Sequence, residues 1–378
     1  MKVVFVITGL VAGGAENMLL KLLLNGPHLK NATVITLKAG GDLLPRFQAA
    51  GIRVETLNMH PGRPNPLAIW RLARRLRALN ADVVSTWMYH ADLIGGLAAR
   101  LAGIPVAWGI RNSAVDERLT SRATRAVVKL CGRLSRFVPD AIISCSVRAR
   151  DIHVAEHYAS DKFCLIQNGF DLDAFKPDLE ARLSLRTELG LAADVPLAGM
   201  IARYSPQKNH AGFLAAAAQV LQQCPAQHFL LAGLDAGPDN AELAALIRAY
   251  GLEGRVHCLG LRQDVPRITA ALDLACLSSI FGEAFPNVLG EALACGVPCV
   301  ATDVGDSESI VGDCGRVVVP GDVAAFAGAM QAMLTLPAAE RVRMALRARQ
   351  RMLDGFEIRH VASLYEEIFE HLAHLRQA

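Results

Sequence analysis

Residues 283–305 read Glu283-Ala-Phe-Pro-Asn-Val-Leu-Gly-Glu291-Ala-Leu-Ala-Cys-Gly-Val-Pro-Cys-Val-Ala-Thr-Asp-Val-Gly305, and they decide the fold of the second half of the chain. Asn287 is a good helix N-cap, Gly296 suits the left-handed residue that ends a helix, and Pro298 cannot continue one. The pattern therefore predicts a short helix from Asn287, followed by a buried apolar strand over residues 299–302. Glu283 would lie on the loop before this helix, and Glu291 in its second turn.

The start of this helix has the chemistry of a ligand site. Unpaired amides and the positive end of the helix dipole attract phosphate. The two carboxylates beside it, Glu283 and Glu291, would instead accept hydrogen bonds from hydroxyl groups of a sugar or a ribose. Phosphate flanked by hydroxyls describes a nucleotide-sugar.

Outward from this segment, short apolar runs alternate with helical patterns along the whole chain. Such alternation predicts buried parallel sheets with right-handed crossovers. The series restarts after about residue 172, which predicts two doubly wound α/β domains in tandem with a ligand site in the cleft between them. The predicted strands are residues 3–8, 33–37, 54–57, 83–87, 106–110, 141–145 and 164–166, and then 197–202, 229–232, 256–259, 274–277, 299–302 and 317–319.

Four motifs resemble those of the family 4 retaining glycosyltransferases, over nearly the whole chain. They are Glu283-x7-Glu291, Gly13-Gly14-Ala15-Glu16, Asn168-Gly169-Phe170-Asp171 and Arg203-Tyr-Ser-Pro-Gln-Lys208-Asn209. The resemblance implies the GT-B architecture of two Rossmann-like domains. We expect an acceptor-binding domain at residues 1–172 plus 357–378 and a nucleotide-sugar-binding domain at 173–356. The apolar face Ile358, Val361, Tyr365, Ile368, Leu372 and Leu375 is then expected on a last helix that crosses back to the first domain.

The resemblance also implies roles for individual residues. Arg203 and Lys208 would oppose the charge of the departing nucleoside diphosphate without a metal. Glu291 would hold the ribose hydroxyls and Glu283 the 3- and 4-hydroxyls of the donor sugar. Further donor contacts are expected from Gly13, Gly14, Leu261, Arg262, Phe285, Pro286, Asn287 and Val288, largely through backbone groups.

Three other features bear on the acceptor side and on metals. His90 follows the fourth strand and is a candidate catalytic or acceptor-site histidine, although a purely structural histidine is as consistent with the pattern. Arg111 and Asn112 follow the fifth strand and would face the same site. The Asp171-Leu-Asp173 pair resembles a metal motif of a different glycosyltransferase architecture, but here we expect it to cap turns, with no metal required.

Charge is distributed unevenly between the two halves. Residues 1–172 contain 22 Lys and Arg against 12 Asp and Glu, and the remainder contains 17 against 24. Basic residues recur on one predicted amphipathic helix, whose opposite face would carry Leu119, Ala123, Val127, Leu130, Leu134 and Phe137. A solvated helix face explains such a run, but the excess charge favours an anionic membrane surface or a lipid-diphosphate acceptor. The basic residues are Arg118, Arg122, Arg125, Lys129, Arg133 and Arg136.

Composition excludes several classes of protein. No charge-free apolar stretch of about 18 residues occurs, so we expect no transmembrane helix, and we interpret the apolar N-terminus as a buried strand rather than a signal peptide. The nine cysteines lack paired Cys-x2-Cys spacing, which fits a reducing cytoplasm and argues against disulfides or a zinc site. We expect a cytoplasmic protein, peripheral at most on the inner face of the membrane, without a nucleic-acid partner.

The sequence thus predicts a metal-independent, retaining glycosyltransferase. It would move a hexose or N-acetylhexosamine from a nucleotide-diphosphate sugar, UDP favoured over GDP, to a glycan or glycolipid hydroxyl in cell-surface polysaccharide or lipopolysaccharide assembly. A nucleotide-sugar epimerase of the same architecture and a non-catalytic nucleotide-sugar-binding subunit are the alternatives. A nicotinamide dehydrogenase fits least, because residues 9–14 do not form the Gly-x-Gly-x-x-Gly fingerprint.

Overall fold

A computed structural model describes residues 1–11, 13–59, 66–113 and 120–375. The chain divides into two compact units. Unit 1 consists of Met1–Gly169 with Ile358–Ala378, and unit 2 of Phe170–Glu357.

Unit 1 is built on a seven-stranded sheet in which every pairing is parallel, in the order β3-β2-β1-β4-β5-β6-β7. Its strands are β1 Val3–Ile7, β2 Thr33–Thr36, β3 Arg53–Thr56, β4 Val83–Trp87, β5 Val106–Ile110, β6 Ala141–Ser144 and β7 Phe163–Leu165. Its helices before the crossing to unit 2 are α1 Gly14–Asn25, α2 Leu44–Ala49, α3 Pro66–Ala78, α4 Tyr89–Ala102, α5 Arg122–Leu134 and α6 Val147–Ala155. The first strand is central and fully buried, as predicted for the apolar N-terminus.

Unit 2 contains a six-stranded, all-parallel sheet in the order β10-β9-β8-β11-β12-β13. Its strands are β8 Leu197–Ile201, β9 His228–Ala232, β10 Val256–Cys258, β11 Leu274–Leu277, β12 Cys299–Thr302 and β13 Gly315–Val318. Its helices are α7 Leu179–Glu188, α8 His210–Gln223, α9 Ala241–Ala249, α10 Val265–Ala270, α11 Asn287–Ala294, α12 Ser307–Val311, α13 Val323–Leu334 and α14 Ala338–Gly355. Both halves are thus Rossmann-like, and the predicted fold class is confirmed.

Local chemistry fixes where many of these helices begin. At several N-termini an Asp, Asn or Ser side chain accepts a hydrogen bond from an amide of the first turn, which satisfies a donor that the helix itself leaves unpaired. The capping residues are Ser121, Ser146, Asp178, Asn209, Asn240 and Asp322.

The last helix, α15 Ile358–Leu375, belongs to unit 1, as predicted. Tyr365 and Phe369 on this helix are fully buried, and their rings pack against Trp87 and Phe5 of the central strands. Phe369 was not on the predicted apolar face, whereas the predicted Ile368 is only partly buried.

The observed units end a few residues away from the predicted boundaries at 172 and 357. The Phe170 amide donates to the carbonyl of Phe356 at 2.8 Å, and Phe170 forms a parallel bridge with Glu357. The Phe170 ring packs against Phe285 and Phe356. These contacts place residues 170–172 and Glu357 in unit 2, so the chain changes unit at Gly169 and again before Ile358.

Candidate functional site

The centre of the unit 2 sheet is a topological switch point. From β8 the chain proceeds outward to β9 and β10, and it then returns to form β11 on the other side of β8. Ligands of open α/β sheets bind beyond the carboxyl ends of the strands at such a point. Arg203 and Lys208 follow β8, while Ser279 and Glu283 follow β11, so the sequence motifs meet there.

Lys208 and Glu283 form an ion pair at this position. Lys208 Nζ lies 2.5 Å from Glu283 Oε1, which also accepts a hydrogen bond from the Ser279 hydroxyl at 2.8 Å. The two charged side chains are only 16% and 11% exposed. Their predicted roles concern different parts of the donor, and no local pattern reveals a direct contact between residues 75 positions apart.

The loop that carries Lys208 is fixed by hydrogen bonds from the residues that follow β11. The hydroxyl of Ser278 donates to the carbonyl oxygen of Lys208 at 2.8 Å, and the Ile280 amide donates to the carbonyl of Gln207 at 3.0 Å. Arg203 is exposed and donates to Gln207 Oε1 at 3.3 Å. An ammonium has three N–H donors, so the Glu283 contact leaves donors on Lys208 for a phosphate.

The N-cap of helix α11 lies one residue before the predicted cap, Asn287. Pro286 is the N-cap and Asn287 the first helical residue, so the predicted capping role of Asn287 is wrong. Proline has no N–H, so the expected amide contribution of Pro286 to donor binding is also wrong, and this residue instead fixes the entry of the chain. The side chain of Pro286 forms no capping hydrogen bond to the first turn of α11. Glu291 lies in the second turn, as predicted.

The end of α11 follows the predicted pattern. Gly296 has φ +71°, its amide donates to Leu293, and the Val297 amide donates to Ala292. This pair of hydrogen bonds is the Schellman motif. Farther along, Gly305 also has positive φ, and a side chain there would lie 2.4 Å from the carbonyl oxygen of Ala284. The glycine thus allows the β12–α12 loop to support the loop that holds Glu283.

Leu261 and Arg262, the predicted nucleobase contacts, follow β10. Leu261 is 65% exposed. The Arg262 guanidinium pairs with Asp264 and Glu188, each at 2.7 Å, and Arg262 holds the pKa of Asp264 well below its usual range. The Arg262 side chain is therefore engaged by carboxylates of unit 2, and contact between the backbone of this loop and a nucleobase stays a prediction.

In unit 1, Gly13 is the N-cap of α1 and Gly14 its first residue. A side chain at Gly13 would lie 2.5 Å from Glu16 Oε2, the end of a flexible side chain that could move aside. Burial raises the pKa of Glu16. The loop has the small residues that a close ligand approach requires, and its contact with a donor stays a prediction.

A pocket of about 340 Å³ lies at the carboxyl ends of the unit 1 strands. Its lining includes Thr8, His90, Arg111, Asn112, Ser121 and Thr124. His90 follows Met88, whose φ of +74° is unusual for a residue with a side chain. Burial, assisted by the charge of Lys38, lowers the pKa of His90, so this imidazole is neutral at pH 7.

Arg111 is part of the wall of this pocket and of the unit 1 core. Its guanidinium lies 3.8 Å from the centre of the Trp87 ring, donates to Asn168 Oδ1 at 3.1 Å, and contacts the Tyr365 hydroxyl. It therefore connects the Asn168-Gly169 motif with α15. Sequence analysis predicted only an acceptor contact for this residue.

The sequence patterns did not single out the buried carboxyl group of Asp92. Asp92 on α4 is fully buried, and its Oδ1 accepts hydrogen bonds from the Thr86 hydroxyl at 2.6 Å and the Gly109 amide at 3.3 Å. Burial raises the pKa of Asp92 to about 8. The sequence signal was an acidic residue in an otherwise apolar helix pattern.

Helix α5 carries the predicted Arg122, Arg125, Lys129 and Arg133, whereas Arg136 lies just after its C-terminus and Arg118 lies outside the described residues. Its buried side is formed by Val128, Cys131 and Gly132, whereas Leu130 and Phe137 are 43% and 75% exposed. The predicted apolar face is therefore wrong for Leu130, Phe137 and the exposed Ala123, since the helix packs on unit 1 through a different side, and the predicted Leu119 lies outside the described residues. Arg125 is partly buried, and we define the α5 basic face as the exposed Arg122, Lys129, Arg133 and Arg136.

Asp171 has the predicted capping role. Its Oδ1 accepts hydrogen bonds from the amides of Asp173 at 3.1 Å and Ala174 at 2.9 Å. Within the described part of the chain, no group of three or more His, Cys, Asp or Glu residues could hold a metal ion. Within the same part, no helix is both long enough and apolar enough to span a bilayer.

Two family profiles match the chain. Residues 12–174 match the family described as Glycosyltransferase Family 4, and residues 195–335 match that described as Glycosyl transferases group 1. Together these matches cover more than half of the chain.

Individual relatives agree with this result. EpsF of Bacillus subtilis is 28% identical over 80% of this chain and 79% of its own length. The UDP-Gal:alpha-D-GlcNAc-diphosphoundecaprenol alpha-1,3-galactosyltransferase of Escherichia coli is 27% identical over 64% of this chain and 62% of its own length. Among solved structures, Anabaena HepE in complex with UDP superimposes with a TM-score of 0.86 at 25% identity, covering 98% of this chain and 100% of HepE.

Proposed function

Since this chain belongs to the family 4 glycosyltransferases and has the GT-B fold, we propose that it is a retaining, metal-independent transferase of a hexose or N-acetylhexosamine. The donor is a nucleotide-diphosphate sugar, with UDP preferred over GDP, and the acceptor is a hydroxyl of a glycan or glycolipid. The observation that carries the proposal is the Lys208–Glu283 pair at the unit 2 switch point, in the loops that precede α8 and α11.

Each polar group there has a task in donor binding. Lys208 and Arg203 neutralise the diphosphate, and the first turn of α11 adds its amides and its positive dipole end. Glu291 accepts hydrogen bonds from the ribose hydroxyls, and Glu283 from the 3- and 4-hydroxyls of the sugar. The backbone of Leu261 and Arg262 contacts the base.

In the reaction, the bond between the anomeric carbon and the diphosphate oxygen breaks while the acceptor oxygen bonds to the same carbon. The departing phosphate takes the acceptor proton, and attack from the same face retains the anomeric configuration. Lys208 and Arg203 oppose the negative charge that grows on the leaving group, so fixed cations take the role that a metal has in other transferases. His90, neutral in its pocket, can hydrogen-bond a sugar hydroxyl.

The acceptor side is assigned to unit 1. We propose that the α5 basic face meets an anionic membrane surface, with Leu130 and Phe137 exposed beside it. The E. coli relative acts on a diphosphoundecaprenol-linked sugar, which agrees with a role in cell-surface polysaccharide or lipopolysaccharide assembly at the inner face of the cytoplasmic membrane.

The first test is the thermal shift of the purified protein with UDP, GDP, ADP and CMP, each with magnesium and with EDTA. We expect stabilisation by UDP that does not depend on the metal. Glu291→Ala and Lys208→Ala should abolish this shift and reduce transfer from a UDP-sugar by orders of magnitude, whereas Glu253→Ala, an exposed carboxylate of unit 2, should change neither. A full response to UDP in both site variants would refute the assignment.

A further inference from the structure

Three phenylalanine rings meet beside the loop that carries Glu283. The centre of the Phe285 ring, in that loop, lies 6.3 Å from the centre of Phe170 and 6.2 Å from that of Phe356. The rings of Phe170 and Phe356 are 6.4 Å apart, and all three residues are buried. At these separations aromatic rings attract each other. We call these three residues the phenylalanine triangle.

The triangle joins the Glu283 loop to the two ends of unit 2. Phe170 is the first residue of this unit and Phe356 the last but one, and the Phe170 amide donates to the Phe356 carbonyl at 2.8 Å. Among the described residues, the main apolar cluster of unit 2 includes Phe213 and Phe229 but none of the three rings of the triangle. The triangle therefore belongs to the surroundings of the Glu283 loop and not to the main core of the sheet.

Helix α11 has its own contacts with the segment that follows Phe170. A side chain at Gly290 would lie 2.1 Å from the Phe170 ring, so the glycine allows this ring to pack directly on the helix. Arg349 of α14 donates to the carbonyl of Phe175 at 2.7 Å and to that of Ala294, in the last turn of α11, at 2.8 Å. These contacts hold α11 without the other two rings of the triangle.

The Glu283 loop is held on two sides. On one side the Asp306 amide donates to the Ala284 carbonyl at 2.9 Å, and Gly305 leaves room for that carbonyl. On the other side the Phe285 ring packs in the triangle. Because Glu283 directly precedes these two anchored residues, the direction of its carboxylate depends on both anchors. The ring contact can be weakened by substitution without loss of the backbone hydrogen bond.

We propose that Phe356 is a positioning residue for Glu283 and acts through the ring of Phe285. The inference rests on the proposed function, in which Glu283 accepts hydrogen bonds from the 3- and 4-hydroxyls of the donor sugar. Under that function the diphosphate and the ribose are bound by Lys208 and by Glu291 on α11, whose contacts do not include Phe356. Loss of the Phe356 ring should therefore weaken binding of the sugar and spare binding of the nucleotide.

The test compares UDP with a UDP-sugar in Phe356→Leu and Phe285→Leu, by calorimetry. The probes are UDP, UDP-glucose, UDP-galactose and UDP-N-acetylglucosamine, and the variants are titrated with the UDP-sugar that wild type binds most tightly. Hydrogen bonds to charged groups are strong, so we expect both variants to bind this UDP-sugar at least about fivefold more weakly than wild type, and UDP within about twofold. A substitution that only destabilised the fold would not separate the two ligands in this way.

Two further variants serve as controls. If the two rings act together, the double variant Phe285→Leu/Phe356→Leu should lose no more UDP-sugar affinity than the weaker-binding single variant. Phe229→Leu removes the same atoms from another aromatic contact of unit 2, in which Phe229 packs edge-on against Phe213 at 6.1 Å. This variant should lower the urea midpoint of unit 2 and leave both affinities unchanged.

Several results would overturn the positioning role of Phe356. They are equal weakening of UDP and UDP-sugar binding in Phe356→Leu, the same selective loss in Phe229→Leu, and additive losses in the double variant. Glu283→Gln distinguishes this failure from failure of the proposed function. If Glu283→Gln binds the UDP-sugar as wild type does, or if wild type binds none of the probes, the proposed donor site is wrong. If Glu283→Gln loses affinity and Phe356→Leu does not, only the positioning role is wrong.

Discussion

The ion pair between Lys208 and Glu283 makes a quantitative prediction about stability. Both side chains are largely buried, so each charge depends on the other far more than in a surface pair. Surface pairs contribute about 0–1 kcal/mol, whereas removing one partner of a buried pair costs about 3–5 kcal/mol. For 16% and 11% exposure we expect Lys208→Met to lower the free energy of unfolding of unit 2 by about 2–3 kcal/mol.

A double-mutant cycle separates the interaction energy of the Lys208–Glu283 pair from the other effects of each substitution. Glu283→Gln keeps an acceptor for the Ser279 hydroxyl, so the cost of this change comes mainly from the lost charge. In the double variant Lys208→Met/Glu283→Gln no charge remains unpaired, and the two losses should therefore not add. We expect a coupling energy of about 2 kcal/mol between these two positions.

The assay can follow each unit separately. The three tryptophans, Trp70, Trp87 and Trp108, all belong to unit 1, so fluorescence in urea reports unit 1, while far-UV circular dichroism reports both units. The variants should shift the dichroism transition and leave the fluorescence transition in place. A coupling energy below about 0.5 kcal/mol, close to the limit for additive sites, or equal shifts in both signals, would refute this account of the pair.

Three further predictions concern packing, pH and the membrane. Gly290→Ala would place a methyl group 2.1 Å from the Phe170 ring and should destabilise unit 2 by about 1–3 kcal/mol, measured by circular dichroism. The control is Gly328→Ala in α13, where a methyl group has no atom within 4 Å and should stabilise unit 2 by about 0.5–1 kcal/mol. Equal effects of the two substitutions would contradict the packing argument. Asp92 has a folded pKa of about 8, above the unfolded value, so its contribution to stability is lost as the pH rises from about 4 to about 8. Asp92→Asn imitates the protonated group, so its free energy of unfolding relative to wild type should be several kcal/mol higher at pH 8 than at pH 4. The measurement is the urea midpoint of both proteins, followed by tryptophan fluorescence. The same difference between the two midpoints at both pH values would show that the carboxyl does not titrate in this way. Reversal of three charges of the α5 basic face to Glu should abolish sedimentation with anionic liposomes while UDP binding persists, and unchanged sedimentation would exclude this face as the contact.

The sequence was most informative where strands are buried on both sides. The run over residues 274–277 is β11 without any change of bounds, because central parallel strands are continuously apolar. At the sheet edge the apolar pattern predicted the strand bounds less well. β13 begins at Gly315, two residues before the predicted start, since a half-buried edge strand includes polar residues such as Arg316.

For the candidate site, the sequence located the loops and missed the contacts between them. Gly296 revealed the end of α11 because a left-handed residue after a helix has a strong local preference. The Lys208–Glu283 pair and the stacking of Arg111 on Trp87 join residues that are distant in the chain, so no local pattern could predict them. Asp92 could not be predicted for the same reason, because its pKa is raised by burial where α4 packs on β4 and β5.

The chain leaves unit 1 after Gly169 and returns to it at Ile358, which matters for exchanging unit 2 between related proteins. The two ends of unit 2, Phe170 and Glu357, are paired by a backbone bridge, and a side chain at Gly169 would lie 2.9 Å from the backbone of Ile358. Unit 2 is thus topologically a cassette inserted into one loop of unit 1, with entrance and exit side by side. An exchange of this cassette between relatives needs only two adjacent joints, and under the proposed function it would combine a new donor specificity with an existing acceptor specificity.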